Sequence, residues 1–304
     1  YTFWDRPNWK FALLMGGTIA IAALSRAEAA ILLLILAVPF ALLRREQPWK
    51  QRLLNGFLAC VAGGVVMAPW IGYNLTRFDH PVMMSNGVGS VLMVSNCDYV
   101  DPNTGEYQGT YHGKFVAYWN VACSFNLEPR LDAAYSKEEA GRFKRELGLL
   151  PGTQFAFFGD ESTHEQAWRA VGMHELKTHK QNIPRLVTLR VARMWDLYRF
   201  DQNIEFNGAL EGRGIWQSRL ATLQYFAMLP FAILGLVLIK LRKDPILPFL
   251  AFALSVTITA AITFGITRYR APVDALLPVL AGGALVWLGK MIVGYRRSLA
   301  PAND

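Results

Sequence analysis

The sequence predicts a membrane α-helical bundle of about six transmembrane or partly spanning helices, with a mixed, mainly helical extracytoplasmic domain between the third and fourth. Three observations predict it. Of the 304 residues 53% are hydrophobic, including 18 Phe and 9 Trp, which is too apolar for a single soluble domain. Six apolar stretches approach the roughly 17–25 residues that a bilayer-crossing helix needs. Charge is also segregated: residues 75–218 carry 15 Lys and Arg against 17 Asp and Glu, a net of −2, while the remainder carries +10. The overall +8 therefore reports membrane orientation and not a nucleic-acid surface.

The first two stretches, Phe11–Ser25 and Ala27–Leu43, form a run of 33 residues broken only by Arg26 and Glu28. One straight helix of that length would measure about 50 Å, too long for a hydrocarbon core of about 30 Å. Cationic flanks at both ends (Arg6 and Lys10; Arg44 and Arg45) favour a hairpin with Arg26 and Glu28 at its outer tip. A kinked helix with Arg26 snorkelling to the surface is the alternative. Leu53–Tyr73 is the third stretch, and residues 1–74 form the N-terminal membrane unit.

Residues 75–218 are too long for a structureless loop. Ser136 with Glu139, and Ser162 with Glu165, have capping-box spacing. They predict one helix to about Leu149, stopped by Pro151-Gly152, and a second to about Lys180. A third starts at Pro184, with Val187, Val191, Met194, Trp195 and Tyr198 as its apolar stripe, laid in the membrane interface or against the outer domain's core. Val82–Tyr99 reads as a loop with a short strand or two around Ser90–Val94. Cys97 and Cys123 share this segment and are expected to form a disulfide, whereas Cys60 lies within a span. Asn74-Leu75-Thr76 matches a glycosylation acceptor. His164, His174 and His179 lack metal-ligand spacing, so neither metal nor cofactor is expected.

Leu220–Leu241, Ile246–Ile266 and Pro272–Leu288 complete the spans within residues 219–297, leaving 298–304 as a tail. The linkers 44–52 and 240–243 and the tail are basic, which places them in the cytoplasm and the intervening segments outside. This describes a multi-pass protein of the cell membrane with 75–218 extracytoplasmic and the C-terminus cytoplasmic. Between the last two spans lies a polar seam, Thr267-Arg268-Tyr269-Arg270-Ala271. Cations beside hydrocarbon cost roughly 2.5–3.5 kcal/mol each, so they mark a functional position, here one for an anion. If the seam is extended, Arg268 and Arg270 face the same way; if it is helical they diverge and only one can serve. Asp274 can pair with Arg270 at i, i+4.

Four stretches together resemble a known family. They are Ala23-Leu24-Ser25-Arg26-Ala27-Glu28 at the hairpin tip and Pro69-Trp70-Ile71-Gly72-Tyr73-Asn74 at the end of the third stretch. The others are Ser85-Asn86-Gly87 with Ser95-Asn96-Cys97-Asp98, Tyr111, Trp119 and Cys123, and the closing Thr263-Phe264-Gly265-Ile266-Thr267-Arg268-Tyr269-Arg270-Ala271-Pro272. In order and sidedness they are similar to the C-terminal part of C-type (GT-C) membrane glycosyltransferases of families 39 and 83, the protein O-mannosyltransferases and lipid A aminoarabinose transferases. The resemblance implies transfer of a sugar from a polyprenyl-phosphate donor to a glycan, lipid or protein acceptor on the non-cytoplasmic face. It implies Arg26, Glu28, Arg268 and Arg270 at the donor phosphate, with Tyr73, Arg77, Asn86, Asn96 and Asp98 on the sugar or acceptor side. The family's catalytic carboxylate sits on its first outer loop and has no counterpart here, so the chain is expected to be part of a longer enzyme with that residue upstream of Tyr1. A non-catalytic membrane subunit or transporter, or a lipid-linked oligosaccharide ligase, is the alternative.

Overall fold

Helix makes up nearly all the regular structure in the computed structural model, which describes residues 1–96, 110–111, 114–115, 127–148, 160–263 and 265–299. Among these the exception is a short antiparallel hairpin, β1 Thr110–Tyr111 with β2 Lys114–Phe115.

The chain opens with a single turn, α1 Thr2–Asp5, and then α2 Trp9–Ser25, whose first turn is capped by the Asn8 side chain accepting from the Phe11 N–H at 3.1 Å. Arg26 is extended and ends the helix, and the chain reverses. It returns through a 3₁₀ turn at Ala27–Ile31, a π-helical turn at Leu33–Ala37 and α3 Val38–Leu42. Ala12 packs with Phe40 and Ile19 with Leu33, so the long apolar run is an antiparallel hairpin with Arg26 at its tip. The long helix α4 Trp49–Arg77 crosses this hairpin at close range. A Cβ added to Gly16 would stand 1.9 Å from the Ala59 carbonyl oxygen, so only glycine permits the approach.

A second pair, α11 Ile215–Leu241 and α14 Leu277–Leu299, packs through Tyr225, Ala232, Leu277 and Leu280. The two pairs are bridged by α12 Leu247–Ile262: its Ala251 joins Ile19 and Leu33, and its Phe249 packs against the cluster of Tyr225, Ala232, Leu277 and Leu280. Two helices, Trp49–Arg77 and Ile215–Leu241, are long and apolar enough to cross a membrane. Thr267–Asp274 with Leu277–Val293, bent by 43°, make a third if the pair is one span. The remaining apolar helices, Trp9–Ser25, Ala27–Leu42 and Leu247–Ile262, are shorter. Only 22% and 17% of the two long apolar windows are buried inside the protein, so most of their hydrocarbon surface faces outward, as lipid requires.

One end of this bundle is knitted from the basic linkers. The Tyr1 hydroxyl donates to the Pro245 carbonyl at 2.8 Å, Gln47 donates to the Pro7 carbonyl at 2.7 Å, and Arg44 lies 4.9 Å from the centre of the Trp4 ring. The Arg26 tip and the seam lie at the other end.

Between α4 and α11 sits a helical unit: α5 Val88–Ser95, α6 Leu127–Ala134, α7 Lys137–Glu146, α8 Glu161–Thr178, α9 Ile183–Met194 and α10 Phe200–Glu211. Its core gathers Met93, Leu131, Phe143, Leu147, Val171 and Leu186. Arg130 clamps it, donating to both carboxylate oxygens of Glu175 at 2.7 and 2.8 Å and to the Met93 carbonyl at 3.2 Å.

Several local expectations change here. The Ser136–Glu139 capping box is formed, and α7 ends at Glu146, short of Leu149. The second box is not: Asp160 caps α8 instead, its carboxylate accepting from Ser162 N and Thr163 N at 2.9 Å and from Asp79 N at 2.9 Å. Glu165 is thereby released to accept from the backbone N–H groups of Gly87 and Gly89, which begin α5. That cap makes Ser90–Val94 helical against its β preference. On α9, Leu186 enters the core and Met194 packs against Val256, Ala260 and Val273, so the helix docks on α12. Asn74 is 2% exposed and donates toward the carbonyls of Met83 and Met84, which closes the glycosylation match to any transferase.

Candidate functional site

The seam begins where α12 stops. Gly265 has φ +61 and lies directly on the backbone of α9, where an added Cβ would meet the Arg190 carbonyl oxygen at 2.2 Å. Glycine alone satisfies both the left-handed turn and the contact. Thr267–Arg270 then form a 3₁₀ turn leading into α13 Ala271–Asp274, with Pro272 in its first turn. Three residues per turn send positions two apart to different sides. Arg268 is accordingly exposed and Arg270 buried.

Arg270 is 4% exposed and fully engaged. Its Nε donates to Asp274 Oδ1 at 2.8 Å, and its Nη1 donates to Asp196 Oδ2 at 2.9 Å and to the Met194 carbonyl at 3.2 Å. The guanidinium lies 3.6 Å from the centre of the Tyr225 ring. Asn203 completes the network, donating to Asp196 Oδ1 at 2.7 Å and to the Arg193 carbonyl at 2.8 Å. Two carboxylates around one guanidinium satisfy its charge, as burial demands. The i, i+4 partner Asp274 was legible in the spacing. Asp196 and Asn203, far away in sequence and on another element, were not.

Beside this network opens a chamber of about 560 Å³ between α10, the first turns of α11 and the seam. Arg268 and Arg213 bring positive charge to its wall, and Asn207, Ser218, Thr222 and Gln224 bring amides and hydroxyls. Asn207 and Thr267 exchange side-chain hydrogen bonds at 3.3 and 3.4 Å, pinning α10 to the seam. Ser218 is 5% exposed, yet its hydroxyl has no hydrogen-bond partner among the described residues. A buried hydroxyl left in that state costs about 1–3 kcal/mol. Sequence reasoning missed this wall because Leu220–Leu241 was read as a plain span. The available signal was Ser218, Thr222 and Tyr225 at i, i+4 and i+7, one polar face at the head of an apolar helix.

Arg26 approaches the seam from the opposite side. Its Nη2 lies 3.6 Å from Glu28 Oε1, and its guanidinium 6.0 Å from the centre of the Tyr269 ring. A small cavity of about 50 Å³ adjoins them, walled by Leu32, Phe252 and Val256. Tyr269 thus faces the Arg26 side, while its sequence neighbours Arg268 and Arg270 line the large chamber.

The other expected residues are elsewhere. Tyr73 and Arg77 are exposed at the end of α4, with the Arg77 guanidinium 5.9 Å from the Tyr73 ring centre. Asn86 donates to Glu161 at 3.4 Å. Asn96 accepts from Arg190 at 3.1 Å, and Arg190 also reaches the Ala261 carbonyl, so Asn96 helps tie α5 to α12. None of these four lines either cavity. Cys97, Asp98 and Cys123 lie outside the described residues, and Cys60 is a free thiol on α4.

The arrangement offers a half-buried and an exposed arginine near one tyrosine, a fixed ionic network behind one of them, and a chamber with donors and acceptors. It can hold an anion with a hydrogen-bonding group attached. No protein-family model, curated protein or solved structure matches the chain.

Proposed function

We propose that the chain is part of a membrane glycosyltransferase that moves a sugar from a polyprenyl-phosphate donor to a cell-envelope or protein acceptor. The observation that carries this reading is the convergence of Arg26 and the seam at one end of the helix bundle, with Tyr269 between them, beside a chamber of about 560 Å³. A polyprenyl phosphate presents its phosphodiester at headgroup level, where Arg26 and Arg268 lie. Arginine's planar fork suits phosphate oxygens and stays charged. During transfer the leaving lipid phosphate gains negative charge, and fixed cations stabilise that charge as it grows. Glu28 holds Arg26 across the turn, and Arg270 with Asp196 and Asp274 anchors the seam that presents Arg268.

In this reading all six apolar helices are embedded in the membrane. The basic linkers gathered at one end mark the cytoplasmic face. The seam, the Arg26 tip and the helical unit between α4 and α11 then lie outside, and the protein is a multi-pass component of the cell membrane.

The test is binding of a polyprenyl phosphate to the protein in lipid nanodiscs, read by native mass spectrometry. Arg26→Ala and Arg268→Ala are each expected to weaken it by roughly 10- to 100-fold, the worth of a charge-assisted hydrogen bond. Arg268→Lys should recover part of the loss. Wild-type affinity in both alanine variants would end the proposal.

A further inference from the structure

We infer that the sugar of the donor is read in the chamber between α10 and α11, by Ser218 and Thr222, and not by the asparagines of the outer loop. This rests on the reading of the chain as a polyprenyl-phosphate sugar transferase and adds where, and by what contacts, the sugar is held. The chamber's volume of about 560 Å³ falls within the usual range for small-molecule sites. Its wall on α11 includes Ser218, Thr222, Tyr225 and Met228 on one helix face, at the head of a helix whose residues 227–239 are all apolar. Polar side chains on a membrane helix usually turn toward a cavity or a partner, and Gln217, Ser218, Thr222 and Gln224 line the chamber.

The Ser218 hydroxyl is the second observation. It is buried, lines the chamber and has no hydrogen-bond partner among the described residues. The Thr222 hydroxyl, one turn on, donates to the Ser218 carbonyl at 3.0 Å and keeps its acceptor lone pairs for a ligand. A group that both donates and accepts at adjacent points complements both side chains, and a sugar hydroxyl is such a group. Tyr225 offers no open face for stacking, because Arg270 covers one side of its ring at 3.6 Å and the residue is only 6% exposed. Recognition here is therefore by hydrogen bonds. Arg268 on the same wall sets the spacing, with phosphate at the seam and sugar inward along α11. Asn86 gives its amide N–H to Glu161, Asn96 is held by Arg190, and neither lines either cavity.

The experiment compares bare polyprenyl phosphate with polyprenyl-phosphate hexose as ligands of the nanodisc-embedded protein. Wild type is expected to prefer the sugar-loaded lipid by about tenfold, the worth of one or two neutral hydrogen bonds. The pair Ser218→Ala and Thr222→Val should erase that preference and leave affinity for the bare lipid unchanged. Ser218→Ala should also leave the thermal midpoint of the ligand-free protein unchanged or higher, because it removes an unpaired buried hydroxyl. A double variant that still prefers the loaded lipid, one that loses both ligands alike, or a wild type with no preference overturns the chamber assignment. A wild type that binds neither lipid overturns the glycosyltransferase reading itself.

Discussion

At the scale of single residues, Asp196 bears the greatest constraint. It is buried, sits at φ +54 without being glycine, and faces Arg270 across 2.9 Å. A residue in that conformation persists only when its surroundings hold it, and Asn203 and Arg270 do so. Asp196→Asn keeps the shape and tolerates the left-handed backbone but removes the charge, leaving buried Arg270 with Asp274 alone. The expected loss is about 3–5 kcal/mol, read as a lowered unfolding midpoint in detergent. Combining it with Arg270→Met should recover part of that loss, because no unpaired charge then remains buried. Of this network the sequence disclosed only the pair four residues apart, Arg270 and Asp274. Local spacing reveals i, i+4 partners, whereas Asp196 reaches the seam only after α9 has docked on α12.

At the scale of elements, helix ends decided what sequence patterns could not. Asp160-Glu161-Ser162-Thr163 offers three possible caps, and the carboxylate of Asp160 wins because it also takes the Asp79 N–H from another segment. Burial alone would raise the Asp160 carboxyl, but hydrogen bonds from Ser162, Asp79 and Thr163 outweigh it and hold the group well below the usual carboxylate range. The folded form therefore ionises more easily than the unfolded one. The resulting stabilisation is complete above about pH 4 and fades as the pH falls through the folded value. Asp160→Ala should cost about 1–2 kcal/mol at pH 7, measured by thermal unfolding, and the gap from wild type should narrow steadily in acid. The same competition explains α5. Its β-prone residues carry no sign that Glu165, from α8, will cap them.

At the scale of the whole molecule, the segregation of charge in the sequence corresponds to a real gathering of the basic linkers at one end. All six apolar stretches were legible as helices from composition, but their lengths were not, because apolar runs do not reveal where a polar flank continues the helix or a 3₁₀ turn interrupts it. The orientation proposed for the bundle is tested by adding one cysteine at a time at two exposed positions. Lys137→Cys should react with a membrane-impermeant maleimide on intact spheroplasts, and Glu46→Cys only after lysis, each measured against the parent chain. The opposite pattern would invert the topology.

The bundle is also uneven in height. Helices α4 and α11, with 29 and 27 residues, are about 40 Å long, whereas α2 and α12, with 17 and 16, are about 25 Å. A bilayer follows the hydrophobic height of what it surrounds, so it would thin along the flank where the return arm of the short hairpin meets α12. Headgroups there would sink toward Arg26 and Tyr269 while staying at ordinary depth beside α4. A lipid drifting along that flank would meet a local dimple beside the small cavity that Arg26 lines. The short hairpin would then act on the membrane as well as on the protein, lowering the lipid surface to the level of the arginines.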